Sequence, residues 1–423
     1  MSRILIVGAG QSGLQLALGL LRAGHEVTVM TARTSAEIRG GRVMSTQCMF
    51  GQALDTERRV GADLWADSGH RIDGLGVSVA GPDGARVIDW LGRFDQYAQS
   101  IDQRVKMSSW LELFEDEGGD VVVNAATVSD LDRLAPLYDL TLVAAGKGEI
   151  TALFDRDPAR SPYDAPQRAL AIAYVNGFAP RPEHPETAAV RFNIVPGVAE
   201  FIAIPALTVT GLCDILFWEA VPGGPLDVFD RLAGDPKAVL DTILHGLRTY
   251  LPWEYERCAQ VELTDAGGTL AGRYAPTVRH AVAELPSGGL VLGMADVIVA
   301  NDPITGQGSN NAARCADTYL QAILEHGDRP FDRGFMQAAA DAYWNRVAVC
   351  TAWTNAMLAP PPPHVLEILG AAGQFQPVAD RFANGFADPD DFANWLVDPG
   401  LTAAYLGEVA AQAQAQGGTE SVA

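Results

Sequence analysis

The spacing of apolar residues predicts a strand, a helix and a second strand at the start of the chain. Residues 4–7 form a short apolar run that ends at Gly8, which is typical of a buried parallel strand. The following segment has helical spacing up to Gly24, and a second apolar run covers residues 27–30. The helix face consists of Leu14, Ala17, Leu18 and Leu21. This β-α-β unit predicts a doubly wound α/β domain.

Further along, the pattern changes from helical spacing to alternation. Residues 74–90 alternate around a Gly-Pro-Asp-Gly turn at residues 81–84, which predicts a β-hairpin. Residues 168–217 are rich in β-branched and apolar alternation and predict an antiparallel sheet. Residues 289–294 predict another buried strand, followed by a glycine-rich loop and a helix from about residue 310. Helical spacing dominates after residue 331.

Charge and composition narrow the range of functions. The 423 residues include 30 Lys and Arg against 52 Asp and Glu, a net charge of −22, which disfavours binding to nucleic acid or to an anionic membrane. No apolar run reaches the roughly 18 residues of a spanning helix, and no signal peptide is recognised. A soluble, cytoplasmic protein is expected. The five cysteines and seven histidines are dispersed, so no metal site is predicted.

The first chemical motif is the sequence Gly-Ala-Gly-Gln-Ser-Gly at residues 8–13. It follows a predicted strand and opens a predicted helix, which is the context of a dinucleotide-binding loop. Gly8 permits the tight turn, Gly10 lets a pyrophosphate approach the backbone, and Gly13 lets the helix pack on the strand. The helix N-terminus then offers N–H groups to phosphate. This motif does not separate FAD from NAD(P).

The end of the second strand departs from the usual fingerprint. An acidic residue normally binds the ribose there, whereas this chain has Thr31, Ala32 and Arg33. Thr31 can hydrogen-bond a ribose. Arg33 can stack on adenine or meet a phosphate, and it leaves open a 2′-phosphate and therefore NADP.

A second motif about 280 residues downstream favours FAD. Residues 293–296 read Gly-Met-Ala-Asp, and residues 302–311 read Asp-Pro-Ile-Thr-Gly-Gln-Gly-Ser-Asn-Asn. Asp296 at a strand end can bind a ribityl hydroxyl. The loop can place backbone N–H groups near a flavin carbonyl. An enzyme that binds only a nicotinamide cofactor does not need a second motif of this kind.

With both motifs in place, the chain resembles the styrene and indole monooxygenases. These belong to the superfamily of FAD-dependent aromatic hydroxylases whose fold is similar to para-hydroxybenzoate hydroxylase. The resemblance rests on residues 302–310 and on shorter matches along nearly the whole chain. The shorter matches are Thr31 and Arg33, Gly41-Arg42, Gly146-Lys147, residues 166–169, residues 202–205 and residues 353–355.

The resemblance implies an α/β fold in three parts. A Rossmann-like FAD-binding domain is expected from residues 1–60, 93–160 and 275–330. A substrate-binding β-sheet domain is expected from residues 61–92 and 161–274, and a helical C-terminal region from residues 331–423. The family also implies the epoxidase component of a two-component system, which receives reduced FAD from a separate NADH-dependent flavin reductase.

Cofactor contacts carried over from the family fall in both motifs and in the segments between them. The implied FAD-binding residues are Gly8, Ala9, Gly10, Gln11, Ser12, Gly13, Leu14, Thr31, Ala32, Arg33, Arg42, Arg104, Ala126, Ala145, Gly146, Lys147, Asp296, Pro303, Gly306, Gln307, Gly308, Ser309 and Asn310. One departure is Ala295, which stands before Asp296 where the superfamily has glycine.

The substrate is expected between the sheet domain and the flavin, beyond the carboxyl ends of the parallel strands. The predicted lining residues are Met44, Ser45, Ile204, Phe217, Pro303, Ile304 and Thr305. Met44 and Ser45 replace the Leu and Asn of the styrene enzymes, which leaves styrene, indole or another apolar arene open. No side chain is predicted to be catalytic, because the family's reaction is that of a flavin hydroperoxide.

Two other functions remain compatible with the sequence. One is a single-component aromatic hydroxylase that binds NAD(P)H itself, although the Asp-Gly pairs at residues 73–74 and 83–84 lie too early for its nucleotide loop. The other is a non-catalytic carrier on a flavoprotein-like fold, against which the loop at residues 306–308 argues. The oligomeric state is open, with a homodimer as one option.

Overall fold

The computed structural model describes residues 1–145 and 148–420, without the side chains of residues 416–420. Its strands are β1 (Arg3–Val7), β2 (Glu26–Thr31), β3 (Ile72–Ala80), β4 (Arg86–Ala98), β5 (Asp120–Val123), β6 (Leu140–Val143), β7 (Ala169–Asn176), β8 (Ala189–Val195), β9 (Ala199–Thr208), β10 (Gly211–Ala220), β11 (Glu262–Leu263), β12 (Thr269–Gly272), β13 (Thr277–Val278), β14 (Val282–Glu284), β15 (Leu290–Gly293) and β16 (Val299–Ala300).

Its helices are α1 (Gln11–Arg22), α2 (Ser35–Arg39), α3 (Gly51–Arg59), α4 (Gln103–Asp116), α5 (Val128–Leu134), α6 (Pro236–Tyr250), α7 (Pro252–Tyr255), α8 (Gly308–His326), α9 (Arg333–Met357), α10 (Pro363–Ala372), α11 (Gln376–Asn384) and α12 (Pro399–Glu420). The predicted elements at residues 4–30, 74–90, 289–294 and 310 onward are therefore confirmed within a few residues.

The first sheet has six strands in the order β14-β15-β6-β1-β2-β5. All pairs are parallel except β14 with β15. The strands are apolar over most of their length because helices cover both faces, and α1 packs against α8. The register places the ends of β1, β2, β5, β6 and β15 at one edge. The loops that begin at Gly8 and after Gly293 leave from this edge, whereas the loop of residues 302–311 follows β16 in a separate two-stranded sheet.

The second sheet contains β3, β4 and β7–β12. Its strand order is β11-β7-β10-β9-β8-β3-β4, with β12 also paired to β7. Every pair is antiparallel except β3 with β8. Side chains alternate between the two faces. Trp218 and its neighbours pack against α6 on one face, while Phe217 and Ile215 share the opposite face with Ile304 and the C-terminal helices.

The C-terminal helices contribute to both cores. The first half of α9 buries Phe335, Met336 and Tyr343 against the parallel sheet. Its last turns bring Trp353 to the antiparallel sheet, where Trp353 packs on Phe392 with ring centroids 4.6 Å apart. The predicted boundary at residue 93 falls inside β4, which continues to Ala98. The predicted domain limits otherwise stay predictions.

Candidate cofactor and substrate site

The first glycine loop leaves space for a ligand at one position and is tightly packed at two others. Gly8 has φ +120°, and a Cβ added there would lie 2.7 Å from the carbonyl carbon of Ala144. A Cβ on Gly13 would lie 2.1 Å from the carbonyl oxygen of Gly8. A Cβ on Gly10 would meet no atom within 4 Å, and no side chain caps the N-terminus of α1. The loop therefore fits a phosphate group approaching at Gly10.

The side chains at the start of α1 point into the protein. The Gln11 side-chain amide donates to Gln15 (3.0 Å) and to Glu57 (2.9 Å), and Ser12 and Leu14 are buried. Glu57 also forms a buried ion pair with Lys106, which partly offsets the rise in the pKa of Glu57 that burial causes. A ligand at the loop can therefore reach the backbone of Gln11, Ser12 and Leu14, but not their side chains.

The segment after β2 is more open. Thr31 is buried and its hydroxyl donates to the Arg33 carbonyl (3.1 Å), which leaves its oxygen as an acceptor. Ala32 and Arg33 are exposed, and a guanidinium nitrogen of Arg33 lies 3.0 Å from the Met44 sulfur. The structure thus places Arg33 beside a predicted substrate residue.

Arg104 and Arg42 lie close together but have different environments. Arg104 is buried, and all five of its N–H groups are donated within the protein, to Asp102, Asp265, Thr208 and the Gly41 carbonyl. Burial lowers its pKa, but the bonds to Asp265 and Asp102 outweigh this and the net pKa is raised. This arrangement leaves no N–H of Arg104 for a phosphate.

Arg42 is exposed and borders a cleft of about 530 Å³. The opposite wall of this cleft is formed by Val209 and by the loop of residues 265–267. The main-chain N–H of Val43 donates to the Gly267 carbonyl (3.0 Å), so this loop of the second sheet holds the Arg42 segment in place. Arg39 also borders this cleft, but it donates to both carboxylate oxygens of Glu112. Arg42 therefore carries an accessible positive charge here, and Arg104 holds the backbone that presents it.

The remaining predicted contacts of the first sheet share one edge. Ala126 follows β5, Ala145 follows β6 and Asp296 follows β15, and the register brings these strand ends together. Asp296 is exposed, and Ala295 before it has φ +45°, in the left-handed region. The predicted contacts Gly146 and Lys147 lie outside the described residues.

The second glycine loop combines a rigid scaffold with open space. Asp302 accepts from the Ile304 N–H (3.1 Å) and caps the short turn Pro303–Thr305, after which Gly306 has φ +64°. Added Cβ atoms on Gly306 and Gly308 would meet no atom within 4 Å. Ser309 is half-buried in the first turn of α8. Open glycines at a helix N-terminus fit the edge of a flavin ring.

Asn310 and Gln307 hold this loop in place. The Asn310 amide donates to the carbonyls of Cys48 (2.8 Å) and Gly306 (3.0 Å), and its oxygen accepts from the Phe50 N–H (2.9 Å). Gln307 donates to the Phe386 carbonyl (2.8 Å). Both side chains are fully buried, so any contact with a cofactor in this arrangement comes from their backbone.

Most of the predicted substrate residues come together on one face of the second sheet. Ile204, Phe217 and Ile304 belong to one buried cluster, and the Thr305 hydroxyl is 2.7 Å from that of Thr354 on α9. Pro303 is half-buried beside them. Met44 instead packs on the core of the first sheet. The structure thus brings four of the seven around one apolar region, with Pro303 at its border.

Ser45 joins this region through residues that the sequence did not single out. Its carbonyl accepts from the Tyr174 hydroxyl (3.1 Å) on β7, and its own hydroxyl is 3.4 Å from the side-chain oxygen of Gln47. The Gln47 side-chain nitrogen is buried without a hydrogen-bond partner among the described residues. The signal for Tyr174 was its place in the alternation of β7, where it shares a face with Ile172.

A second group missed from the sequence is a buried acidic cluster at Asp302. Glu219 on β10 is completely buried, and Asp302 and the Arg168–Glu200 ion pair lie within range of its charge. Alternation along β10 places Glu219 on the face of Phe217, which was the available signal. Among residues 1–145 and 148–420, no group of three side chains is arranged to bind a metal ion.

Comparison with known proteins identifies the family of this chain. Residues 146–257 match the family model of the styrene monooxygenase A substrate-binding domain. Two curated relatives named styrene monooxygenase StyA, from a Pseudomonas species and from Pseudomonas fluorescens, are each 31% identical to this chain. The alignment spans 398 residues, 92% of this chain and 93% of each relative.

A solved structure supports the fold independently. The flavin-dependent brominase Bmp2 superposes with a TM-score of 0.63 at 12% identity, covering 88% of this chain and 92% of that one. Over the part of the chain that the structure describes, no helix has the length and apolar character needed to cross a bilayer. From its similarity to StyA over most of both sequences, the chain belongs to the styrene monooxygenase family and is a flavin-dependent monooxygenase.

Proposed function

We propose that this protein is the epoxidase component of a two-component system. It takes reduced FAD from a separate NADH-dependent flavin reductase and uses O2 to epoxidise styrene-like alkenes or indole. The observation that carries the proposal is the pairing of two open glycine loops, at Gly10 and at Gly306 and Gly308, with the apolar face of Phe217 and Ile304. Bound reduced FAD supplies the oxygen-transfer chemistry.

The protein's own contribution is binding, orientation and exclusion of water. The N-terminus of α1 binds phosphate, and the N-terminus of α8 presents backbone N–H groups to the flavin ring. The buried side chains of Asn310 and Gln307 keep the second loop rigid. Phe217, Ile204 and Ile304 provide an apolar wall for an apolar substrate and limit the access of water.

FAD binding can be tested with a substitution that the fold tolerates. Gly10 has ordinary backbone angles and open space around its Cβ, so Gly10→Val should fold normally but occupy the phosphate site. We expect its affinity for FAD to fall at least tenfold with an unchanged melting temperature. Gly234→Val is the matched control, because Gly234 is equally open but lies in the turn before α6. Equal affinities in the two variants would contradict the assignment of the first loop.

The two-component proposal is tested by mixing the protein with FAD and NADH. Without a reductase, no bleaching of the flavin is expected. With a reductase, O2 and styrene, styrene oxide should accumulate. Rapid bleaching without the reductase would instead support the single-component hydroxylase. Failure to bind FAD in either redox state would support the non-catalytic carrier.

Ser45 discriminates between the two substrate classes. Against styrene, Ser45→Ala removes no hydrogen bond to substrate, so turnover should change little. If indole is the substrate, its N–H would lose a partner, at a cost of about 0.5–1.5 kcal/mol in kcat/KM. Glu115→Gln, on the surface of α4, is the control. Equal effects of the two substitutions on both substrates would place the substrate elsewhere.

We further propose a cytoplasmic location, supported by five buried cysteines without a disulfide, which suit a reducing compartment. A homodimer is one oligomeric state compatible with the proposal. Analytical ultracentrifugation of the purified protein, with and without the reductase, tests both self-association and a stable complex.

A further inference from the structure

The carboxyl group of Glu219 is fully buried within range of Asp302, the residue that precedes Pro303. Glu219 lies on β10, where it pairs in register with Glu200 on β9. Its neighbour Trp218 points to the opposite face and donates its indole N–H to the Ile243 carbonyl (3.2 Å) on α6. Glu219 is therefore on the face of Phe217, and its charge interacts with that of Asp302.

The charges around Glu219 and Asp302 are not balanced. Arg168 donates to both carboxylate oxygens of Glu200, at 2.7 and 3.0 Å, so its charge is already matched. Neither oxygen of Glu219 has a hydrogen-bond partner among the described residues. Asp302 is also buried, with the Ile304 N–H as its recorded donor. Arg168 still lowers the pKa of both groups, but two neighbouring buried carboxyls that share the charge of one already paired arginine cannot both be ionised at low cost.

Burial and nearby charges raise the pKa values of both Glu219 and Asp302. Burial, followed by the charges of Asp302 and Glu200, raises the pKa of Glu219 well above its ordinary value, which favours the protonated form of this carboxyl. Burial raises the pKa of Asp302 to about 6, so Asp302 is ionised but close to titration. A further ionisable neighbour among the described residues is Tyr274, whose hydroxyl donates to the Asn301 carbonyl and whose pKa burial raises.

We propose that Asp302 is the group at which the protein takes up a proton when reduced flavin binds at the adjoining loop, with the buried carboxyl of Glu219 as its neighbour. The inference rests on the proposed function, which places the flavin ring at the loop of Gly306 and Gly308. Reduced flavin at neutral pH is largely anionic, and a negative charge brought to this loop raises the proton affinity of Asp302.

The proton has a place in the reaction. Epoxidation by anionic reduced flavin follows the balance FADH⁻ + H⁺ + O2 + alkene → FAD + epoxide + H2O. One oxygen atom enters the alkene and the other leaves as water, so one proton is consumed per turnover. Asp302 stores that proton next to the flavin loop before O2 reacts, and it acts as a positioning residue through its cap on the Pro303–Thr305 turn.

The test measures proton uptake directly. Calorimetric titrations with reduced FAD, carried out anaerobically at about pH 7 in two buffers of different ionisation enthalpy, give the number of protons bound. Wild-type protein should take up a substantial fraction of one proton. Oxidised FAD has the same pyrophosphate but a neutral ring, and it should cause much less uptake. Equal uptake with the two forms would overturn the proposal without using any variant.

Two nearly isosteric variants locate the site of uptake. Asp302→Asn should abolish the uptake, and its side-chain oxygen can still cap Ile304. Glu219→Gln should retain the uptake, because the substitution leaves the carboxyl of Asp302 in place. We divide the affinity of the wild-type protein for reduced FAD by the affinity of Asp302→Asn. This ratio should fall by up to about tenfold per pH unit above pH 6. Ionisation of reduced FAD itself affects both affinities equally and therefore cancels in the ratio.

The outcomes are distinguishable from a failure of the proposed function. Uptake that survives in Asp302→Asn, or that is lost only in Glu219→Gln, would overturn the assignment to Asp302 while FAD binding stands. Absence of FAD binding in either redox state would overturn the proposed function. Glu262→Gln, on the exposed end of β11, is the control for a nonspecific effect of removing an acid.

Discussion

At the scale of single residues, Ala295 carries backbone strain next to a predicted FAD contact. Its φ of +45° lies in the left-handed region, which costs a residue with a Cβ about 1–2 kcal/mol. Glycine removes this cost but loses more conformational entropy on folding. We therefore expect Ala295→Gly to raise the free energy of unfolding by about 0.5–1 kcal/mol in urea titrations. Ala283→Gly, in β14, should lower it, and a loss of stability in both variants would contradict the strain.

Asp302 is a residue whose effect on stability depends on pH. Its pKa rises from an ordinary value near 3.8 in the unfolded chain to about 6 in the fold. Below about pH 4 the carboxyl is protonated in the folded and the unfolded protein, and above about pH 6 it is ionised in both. The loss of unfolding free energy that Asp302 causes therefore appears as the pH rises from about 4 to about 6. Asp302→Asn should thus stabilise the protein by up to about 3 kcal/mol at pH 7 and much less at pH 4. Denaturant titrations at both pH values measure this, and a constant difference would contradict it.

At the scale of elements, Arg104 connects the two sheets. From α4 it reaches Thr208 at the end of β9, Asp265 in the loop between β11 and β12, and the Gly41 carbonyl after α2. Removing its side chain would leave the buried carboxylate of Asp102 with hydrogen bonds from Thr208 and from the backbone N–H of residue 104, but without a cation. We expect Arg104→Met to cost about 3–5 kcal/mol of unfolding free energy and to weaken FAD binding as the Arg42 segment loosens.

Arg42→Met separates binding from stability. Arg42 is exposed, so its replacement should change the unfolding free energy by less than about 0.5 kcal/mol. Its loss should still weaken FAD binding about tenfold by removing a charge-assisted hydrogen bond to the cofactor. Thermal unfolding and FAD titration of both variants test this division. Similar stability losses at the two positions would show that Arg42 is structural as well.

At the scale of the whole molecule, the net charge of −22 opposes compaction. Surface repulsion is screened by salt, with a Debye length of about 30 Å at 0.01 M and about 8 Å at 0.15 M. We expect the melting temperature to rise when NaCl is raised from about 10 to about 150 mM. Measurements with the same osmolarity of sucrose control for solute exclusion. A fall in melting temperature would show that favourable ion pairs outweigh the repulsion.

Features that depend on local chemistry could be predicted from the sequence. The β-α-β unit follows from apolar spacing over residues 4–30, and the roles of Gly8 and Gly13 follow from the tight packing of a strand-turn-helix. The second motif indicated a flavin because its glycines open a helix after a strand end. Similarity to StyA confirms the family, whereas the individual contacts to FAD and substrate stay predictions.

Only the tertiary structure decided how distant charges are shared. The sequence suggested Arg104 as a cation for FAD, but Asp265, 161 residues away, occupies its guanidinium. Glu219 could be placed on the inner face of a strand, but its lack of a partner within residues 1–145 and 148–420 depends on Arg168 being matched by Glu200. Apolar periodicity and glycine geometry act over a few residues, so the sequence determined the elements and loops. Burial and ion pairing depend on what the fold brings together, so the availability of each charged side chain was decided in three dimensions.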